Sequence, residues 1–258
     1  MVIRLALILL CFSLASSGQT APKKSTPAKK APSQKSSAPA QQPTAVIHTT
    51  AGDMKCELFP DKAPKTVANF IGLAKGTKPW TDPSGKVIHG KPLYDGVIFH
   101  RVIPEFMIQT GDPSGTGSGD VGFEFQDELR PDLLFDQPGR LAMANRGPNT
   151  NSSQFFITEK ENPFLNPCFD PNGCMGGRRA PNSGYTIFGQ CDPNTVELVK
   201  QIARMPCTGG PCNGSNSRPA NPVKITHIDI QGAGKSAATS SAKKGAATKS
   251  GTQPKSPK

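Results

Sequence analysis

Acid is missing from both ends of this chain. Residues 18–44 hold five Lys and residues 231–258 hold six, with no Asp or Glu in either stretch. The formal net charge of +11 therefore belongs to the ends, and residues 45–230 carry a formal charge of −1. The ends also lack the interleaved aromatics that stack on bases, which argues against specific nucleic-acid recognition. Large apolar residues are absent there too. Mixtures of Lys, Ala, Pro, Ser and Thr bury too little surface to offset ordering entropy, so residues 18–44 are expected to be a disordered, semi-extended linker and residues 231–258 a disordered tail. Their charge suits weak contact with an anionic envelope surface.

Long hydrophobic runs are equally scarce. Arg4, the apolar run Leu5–Leu14 and the small residues Ala15-Ser16-Ser17 have the three parts of a secretory leader at residues 1–17. That run is too short to span a bilayer, and no later one approaches ~20 apolar residues. The expected product is exported, periplasmic or secreted, with no transmembrane segment in the mature chain.

Metal-ligand spacing is also lacking: the cysteines have no nearby His pair. Six remain after the leader, Cys56, Cys168, Cys174, Cys191, Cys207 and Cys212. An even number in an exported chain favours disulfides over free thiols, but six cysteines allow more pairings than sequence can choose between. Short-range candidates are Cys168 with Cys174, across an Asn-Gly turn, and Cys207 with Cys212, across Gly-Gly-Pro. Cys56 with Cys191 follows only by elimination.

What remains between the ends is enough chain for one domain with a sizeable core, residues 45–230. Ala45–Thr50 and Met54–Phe59 read as a strand pair around Ala51-Gly52-Asp53. Pro64 opens a helical pattern through Val67, Phe70, Ile71 and Ala74, closed by Gly76. Residues 76–96 read as a long loop. Further strands are expected at Val97–Ile103, Phe106–Gln109, Arg140–Ala144, Gln154–Ile157, Thr186–Cys191 and Val223–Ile230. Asp192 and Pro193 start a second helix with Val196, Val199, Ile202 and Ala203 on its apolar face. This order predicts a mostly β protein, an antiparallel barrel or sandwich with two helices.

Two segments carry the chemistry. Phe99–Asp112 (FHRVIPEFMIQTGD) sets one permanent cation, Arg101, among apolar side chains, and Met143–Thr158 (MANRGPNTNSSQFFIT) adds amides followed by two phenylalanines. An apolar pocket with one cationic donor and a few amides, but no evident nucleophile, suits rotating a bond rather than breaking it. His100 points away from Arg101 if the run is a strand, and its expected role is a hydrogen-bonded structural one rather than general acid–base work. No partner pattern accompanies His48, His89 or His227, and none is assigned a role. Gly117–Gly122 (GSGDVG) formally fits a dinucleotide fingerprint, yet no helical periodicity follows.

These segments, in this order and separation, resemble the signature segments of the cyclophilin-type peptidyl-prolyl cis-trans isomerases. ELFPDKAPKTVANF and YTIFGQ resemble the same family, so the likeness spans about Val46 to Ile230. It implies a closed eight-stranded antiparallel β-barrel capped by two α-helices, no cofactor, proline-containing polypeptides as partners, and a monomer. Arg101 matches the family's catalytic arginine. His100, Phe106, Met107, Gln109, Ala144, Asn145, Gln154, Phe156 and Leu165 match substrate-binding positions. Phe164 and Tyr185 are also matched to the site, but replace the tryptophan and histidine of the best-known eukaryotic members, as in bacterial exported ones. The missing indole N–H weighs against tight cyclosporin binding. Glu105 and Arg146 stand where small residues are usual, so a more charged rim is expected, with Arg146 favouring substrates that carry an acidic residue near the proline. The insert between Leu165 and Gly184 is longer than the family's norm.

Overall fold

The structure, a computed structural model, describes residues 42–175 and 179–232. The expected leader at residues 1–17, the linker up to residue 41 and the tail from residue 233 lie outside the described residues, as does part of the Gly-Gly-Arg-Arg run.

Alternation of side chains across the pleat explains the first hairpin. In β1 (Thr44–Thr49), Ala45 and Ile47 are buried; in β2 (Gly52–Leu58), Met54, Cys56 and Leu58 are buried. The register pairs Ala45 with Cys56 and Ile47 with Met54, so both apolar sets face one core. Helix α1 (Pro64–Ala74) follows, with Val67, Phe70 and Leu73 on its buried face and Pro64 in the first turn. Its N-terminus has no cap of its own: the distant Glu128 carboxylate accepts from the backbone N–H of Lys65 and Thr66 at 3.0 and 2.8 Å. Gly76 ends it at φ +68°, where a Cβ would lie 2.6 Å from the Lys91 carbonyl carbon.

Residues 76–96 are not loop throughout. They contain a small hairpin, β3 (Trp80–Thr81) with β4 (Val87–Ile88), whose two-residue strands are too short to show periodicity. The remaining strands are β5 (Arg101–Ile103), β6 (Met107–Thr110), β7 (Arg140–Met143), β8 (Phe155–Thr158), β9 (Ile187–Cys191) and β10 (Ile225–Gln231). Helix α2 (Pro193–Ala203) precedes β10, its Thr195 N–H capped by the Asp192 carboxylate at 2.8 Å.

Eight strands form one curled antiparallel sheet in the order β10-β1-β2-β9-β7-β8-β6-β5. The expected closed barrel is seen only as this open order: among the described residues, no strand ladder joins β5 to β10. The segment before β5 instead meets the segment leading into β10, through Phe99 N–H to Val223 O and Ile225 N–H to Val97 O, both 2.9 Å. Inside the curl, Phe70, Tyr94, Phe155 and Phe188 pack ring against ring, and both helices bury their apolar faces in the same core.

The six cysteines among the described residues are all paired. Cys56 and Cys191 bridge directly opposed positions of β2 and β9; Cys168–Cys174 and Cys207–Cys212 close short loops.

Candidate active site

The pleat places the site on the outer face of the sheet. Arg101 is the cross-strand partner of Gln109, Gln109 of Phe156, and Phe156 of Ala142, so one lateral row runs over β5, β6, β8 and β7. The neighbouring row, Val102, Ile108, Ile157 and Leu141, points the other way and is fully buried in the main core. The same alternation splits the two phenylalanines: Phe155 joins the core and Phe156 the outer face.

On that face Met107, Phe135, Ala142, Phe156, Leu165 and Ile187 form a second apolar cluster. A cavity of about 100 Å³ opens above it, lined by Arg101, Phe106, Met107, Gln109, Ala144, Asn145, Phe156, Leu165 and Tyr185. That size suits one small ring rather than a whole side-chain array. Tyr185 stands edge-on to Phe156, with centroids 5.5 Å apart, and Phe106 packs against Phe164 at 5.4 Å.

Arg101 is half-buried. Its Nη1 donates to Gln109 Oε1 at 3.1 Å, and the guanidinium carbon lies 5.9 Å from the centre of the Phe106 ring. Burial lowers its pKa from the ordinary arginine value, an effect Tyr185 partly counters. Gln109 in turn donates to Gln154 Oε1 at 2.9 Å, and Gln154 donates to the Gly117 carbonyl at 3.0 Å. Each amide accepts on one side and donates on the other, so the chain holds the guanidinium in one orientation.

The Gly117 end of that chain is anchored by Asp112. Its carboxylate accepts from the backbone N–H groups of Ser114, Gly117 and Gly119 and from the Ser114 hydroxyl. Burial raises the Asp112 pKa, but these hydrogen bonds outweigh it and hold the carboxyl below its ordinary value. The GSGDVG stretch is thus a loop wrapped round a buried carboxylate, with no helix after it.

Three expected substrate-binding residues do not line the cavity. Gln154 acts through Gln109. Phe164, in a 3-10 turn at Pro163–Leu165, is 51% exposed and forms the rim. His100 is buried beneath β5, because strand alternation turns it from the face that carries Arg101, and the hydrogen bonding expected of it is not seen: among the described residues neither ring nitrogen has a partner. Burial lowers its pKa; Asp112 opposes the shift, while Arg218 and Arg101 add to it.

The extra rim charges are largely neutralised. Arg146 donates to Glu124 at 2.8 Å. Glu105, at φ +58° in the turn that delivers Phe106, pairs with Arg204, and the buried Glu159 carboxylate accepts from the Glu105 N–H at 3.2 Å. Glu159 and Arg204 are not legible in the sequence, because their spacing from Glu105 carries no local pattern. The insert braces the segment behind Leu165 without lining the cavity: Arg179 donates to the carbonyls of Phe164 and Asn166 at 2.9 and 2.5 Å, and Asn145 Nδ2 donates to the Gly184 carbonyl at 2.8 Å.

An apolar hollow with one oriented guanidinium is the arrangement the two segments imply. Residues 44–230 match the family model described as cyclophilin type peptidyl-prolyl cis-trans isomerase/CLD. The probable peptidyl-prolyl cis-trans isomerase A of Mycobacterium leprae is 47% identical over 191 residues, 74% of this chain and 93% of that protein. The peptidyl-prolyl cis-trans isomerase B of Streptomyces anulatus is 40% identical over 193 residues, covering 74% and 98%. Among solved structures, a cyclophilin-type isomerase of Cryptosporidium parvum superposes with a TM-score of 0.53 at 33% identity, covering 73% of this chain and 96% of that one. The chain belongs to the cyclophilin-type peptidyl-prolyl cis-trans isomerases, and it is an enzyme of that class.

Proposed function

We propose that the enzyme is exported and speeds the folding of other exported polypeptides by rotating their X-Pro bonds, with Arg101 lowering the barrier. Rotation about a peptide bond costs about 18–20 kcal/mol because the C–N bond is partly double, whereas the X-Pro isomers differ by only ~0.5–1 kcal/mol. Only the barrier needs attention, with no covalent intermediate.

During the twist, conjugation is lost and the imide nitrogen regains its lone pair. A guanidinium donates towards that lone pair or the neighbouring carbonyl, most effectively where water is scarce. The observation that carries this reading is the pairing of Arg101. Among the described residues its side chain reaches an amide and a thioether but no carboxylate, so its charge is left for the substrate. Phe106, Met107, Phe156 and Leu165 offer the apolar seat for a pyrrolidine ring. About 4 kcal/mol of selective stabilisation of the twisted state corresponds to roughly a thousandfold in rate. The leader at residues 1–17 and the six paired cysteines support an oxidising, exported setting.

The test is refolding of an exported client whose slow phase is limited by proline. Catalytic amounts of the wild-type chain should collapse that phase and Arg101→Ala should leave it slow; equal rates with and without wild type reject the role in folding.

A further inference from the structure

The outer face of the strand trio β10-β1-β2 contributes no residue to the catalytic cavity, yet it gathers two of the four histidines. His48 on β1 is the direct cross-strand partner of His227 on β10 and of Asp53 on β2. Asp229 lies two residues beyond His227 on the same face. The two imidazoles are stacked with centroids 4.2 Å apart.

We propose that His48, His227 and Asp229 bind a first-row divalent metal ion of the zinc class. One ligand atom from each lies within 4.8 Å of the others. Two imidazoles and a carboxylate are a donor set suited to zinc, leaving an open position for water. The hydrogen bonding assigns the atoms. His48 Nδ1 lies 2.8 Å from Asp53 Oδ1, the contact that orients a metal-ligating imidazole, and this leaves Nε2, already 3.5 Å from Asp229 Oδ2, as the donor to metal. The stacked rings must splay for their nitrogens to converge. Nothing rigid opposes this, since His227 and Asp229 are exposed and the His48 side chain is partly so.

The consequence is a clip between the first and last strands of the domain, almost the whole folded chain apart in sequence. Metal bound there favours the folded state, because the ligands separate on unfolding.

The test uses the full mature chain without a histidine tag, stripped with EDTA and titrated with Zn²⁺ by calorimetry and thermal unfolding. Wild type should bind one Zn²⁺ and gain several degrees in Tm. His227→Ala should lose both effects, and Asp53→Asn should bind about tenfold or more weakly, as for loss of a partner that orients a ligand. Cu²⁺ used as a spectroscopic probe should report two imidazole nitrogens in wild type and one in His227→Ala. Isomerase activity on a neutral X-Pro peptide, unchanged in both variants, confirms that they fold. The proposal is overturned if wild type takes up no Zn²⁺, or if His227→Ala binds it as tightly as wild type.

Discussion

Arg101, Phe106, Met107, Gln109, Ala144, Asn145 and Phe156 are singled out by the family resemblance that two continuous segments carry, whereas strand alternation by itself requires only that Phe155 and Phe156 face opposite ways. Partners that only the fold brings together are not legible: the His48–His227 pair joins the first and last strands, and the Arg146–Glu124 pair joins two loops. The second pair has a consequence for specificity. With Arg146 engaged by Glu124, wild type should turn over Glu-containing and Lys-containing X-Pro peptides at similar kcat/KM. Glu124→Gln frees the guanidinium and should shift that ratio several-fold towards Glu, as read in a peptide series at low salt; an unchanged ratio would show that the rim charge does not reach the substrate.

His100 supports a prediction about pH. Its folded pKa is lowered below an unfolded value of about 6.5, chiefly by burial, so the unfolded chain takes up the proton first. Stability is therefore fully present above about pH 6.5 and declines as pH falls from there through the lowered folded pKa. Denaturant midpoints should show that decline in wild type and a flatter profile in His100→Gln. A parallel profile in the two proteins would assign the pH dependence elsewhere.

At the scale of elements, the helices were the most legible features, since Pro64, Gly76, Asp192 and Pro193 punctuate them and the apolar spacing repeats over three turns. The β3–β4 hairpin and the 3-10 turn are too short for periodicity to register. In the sequence the insert shows as extra length with one candidate short-range disulfide, and its place beside the cavity does not show. Its place in the structure gives it a role, because Cys174, tied to Cys168, pairs through its backbone with Arg179, whose guanidinium grips the carbonyls of Phe164 and Asn166 on either side of cavity-lining Leu165. Replacing both cysteines by serine should loosen that grip on the Leu165 segment, raising KM for a peptide several-fold with a smaller change in kcat. If steady-state kinetics of the variant match wild type, the insert does not shape the cavity.

For the whole molecule, the mostly β architecture with two helices follows from the order of elements, whereas the path of the sheet from β10 round to β5 depends on pairings that no local signal encodes. Covalent links reinforce that path unequally. Cys56–Cys191 spans a sequence separation of 135 and ties β2 to β9 in mid-sheet, while Cys207–Cys212 spans 5. Loop-closure entropy grows with the length enclosed, so the Cys56→Ala/Cys191→Ala variant should lose about 2–5 kcal/mol of stability. The Cys207→Ala/Cys212→Ala variant should lose distinctly less, and urea unfolding of the two checks the order. The reverse order would mean that native-state packing around the bridges dominates over the unfolded chain's entropy.

These stabilising features serve one chemical device, a guanidinium held by Gln109, Gln154 and Gly117 beside a small apolar hollow. Parallel measurement of kcat and of peptide affinity for Arg101→Ala against wild type, on a single X-Pro peptide, tests it most directly. The account predicts that kcat falls by roughly a hundredfold or more, the loss typical of a donor aimed at the transition state, while affinity changes little. An unchanged kcat, or a loss confined to binding, would contradict it.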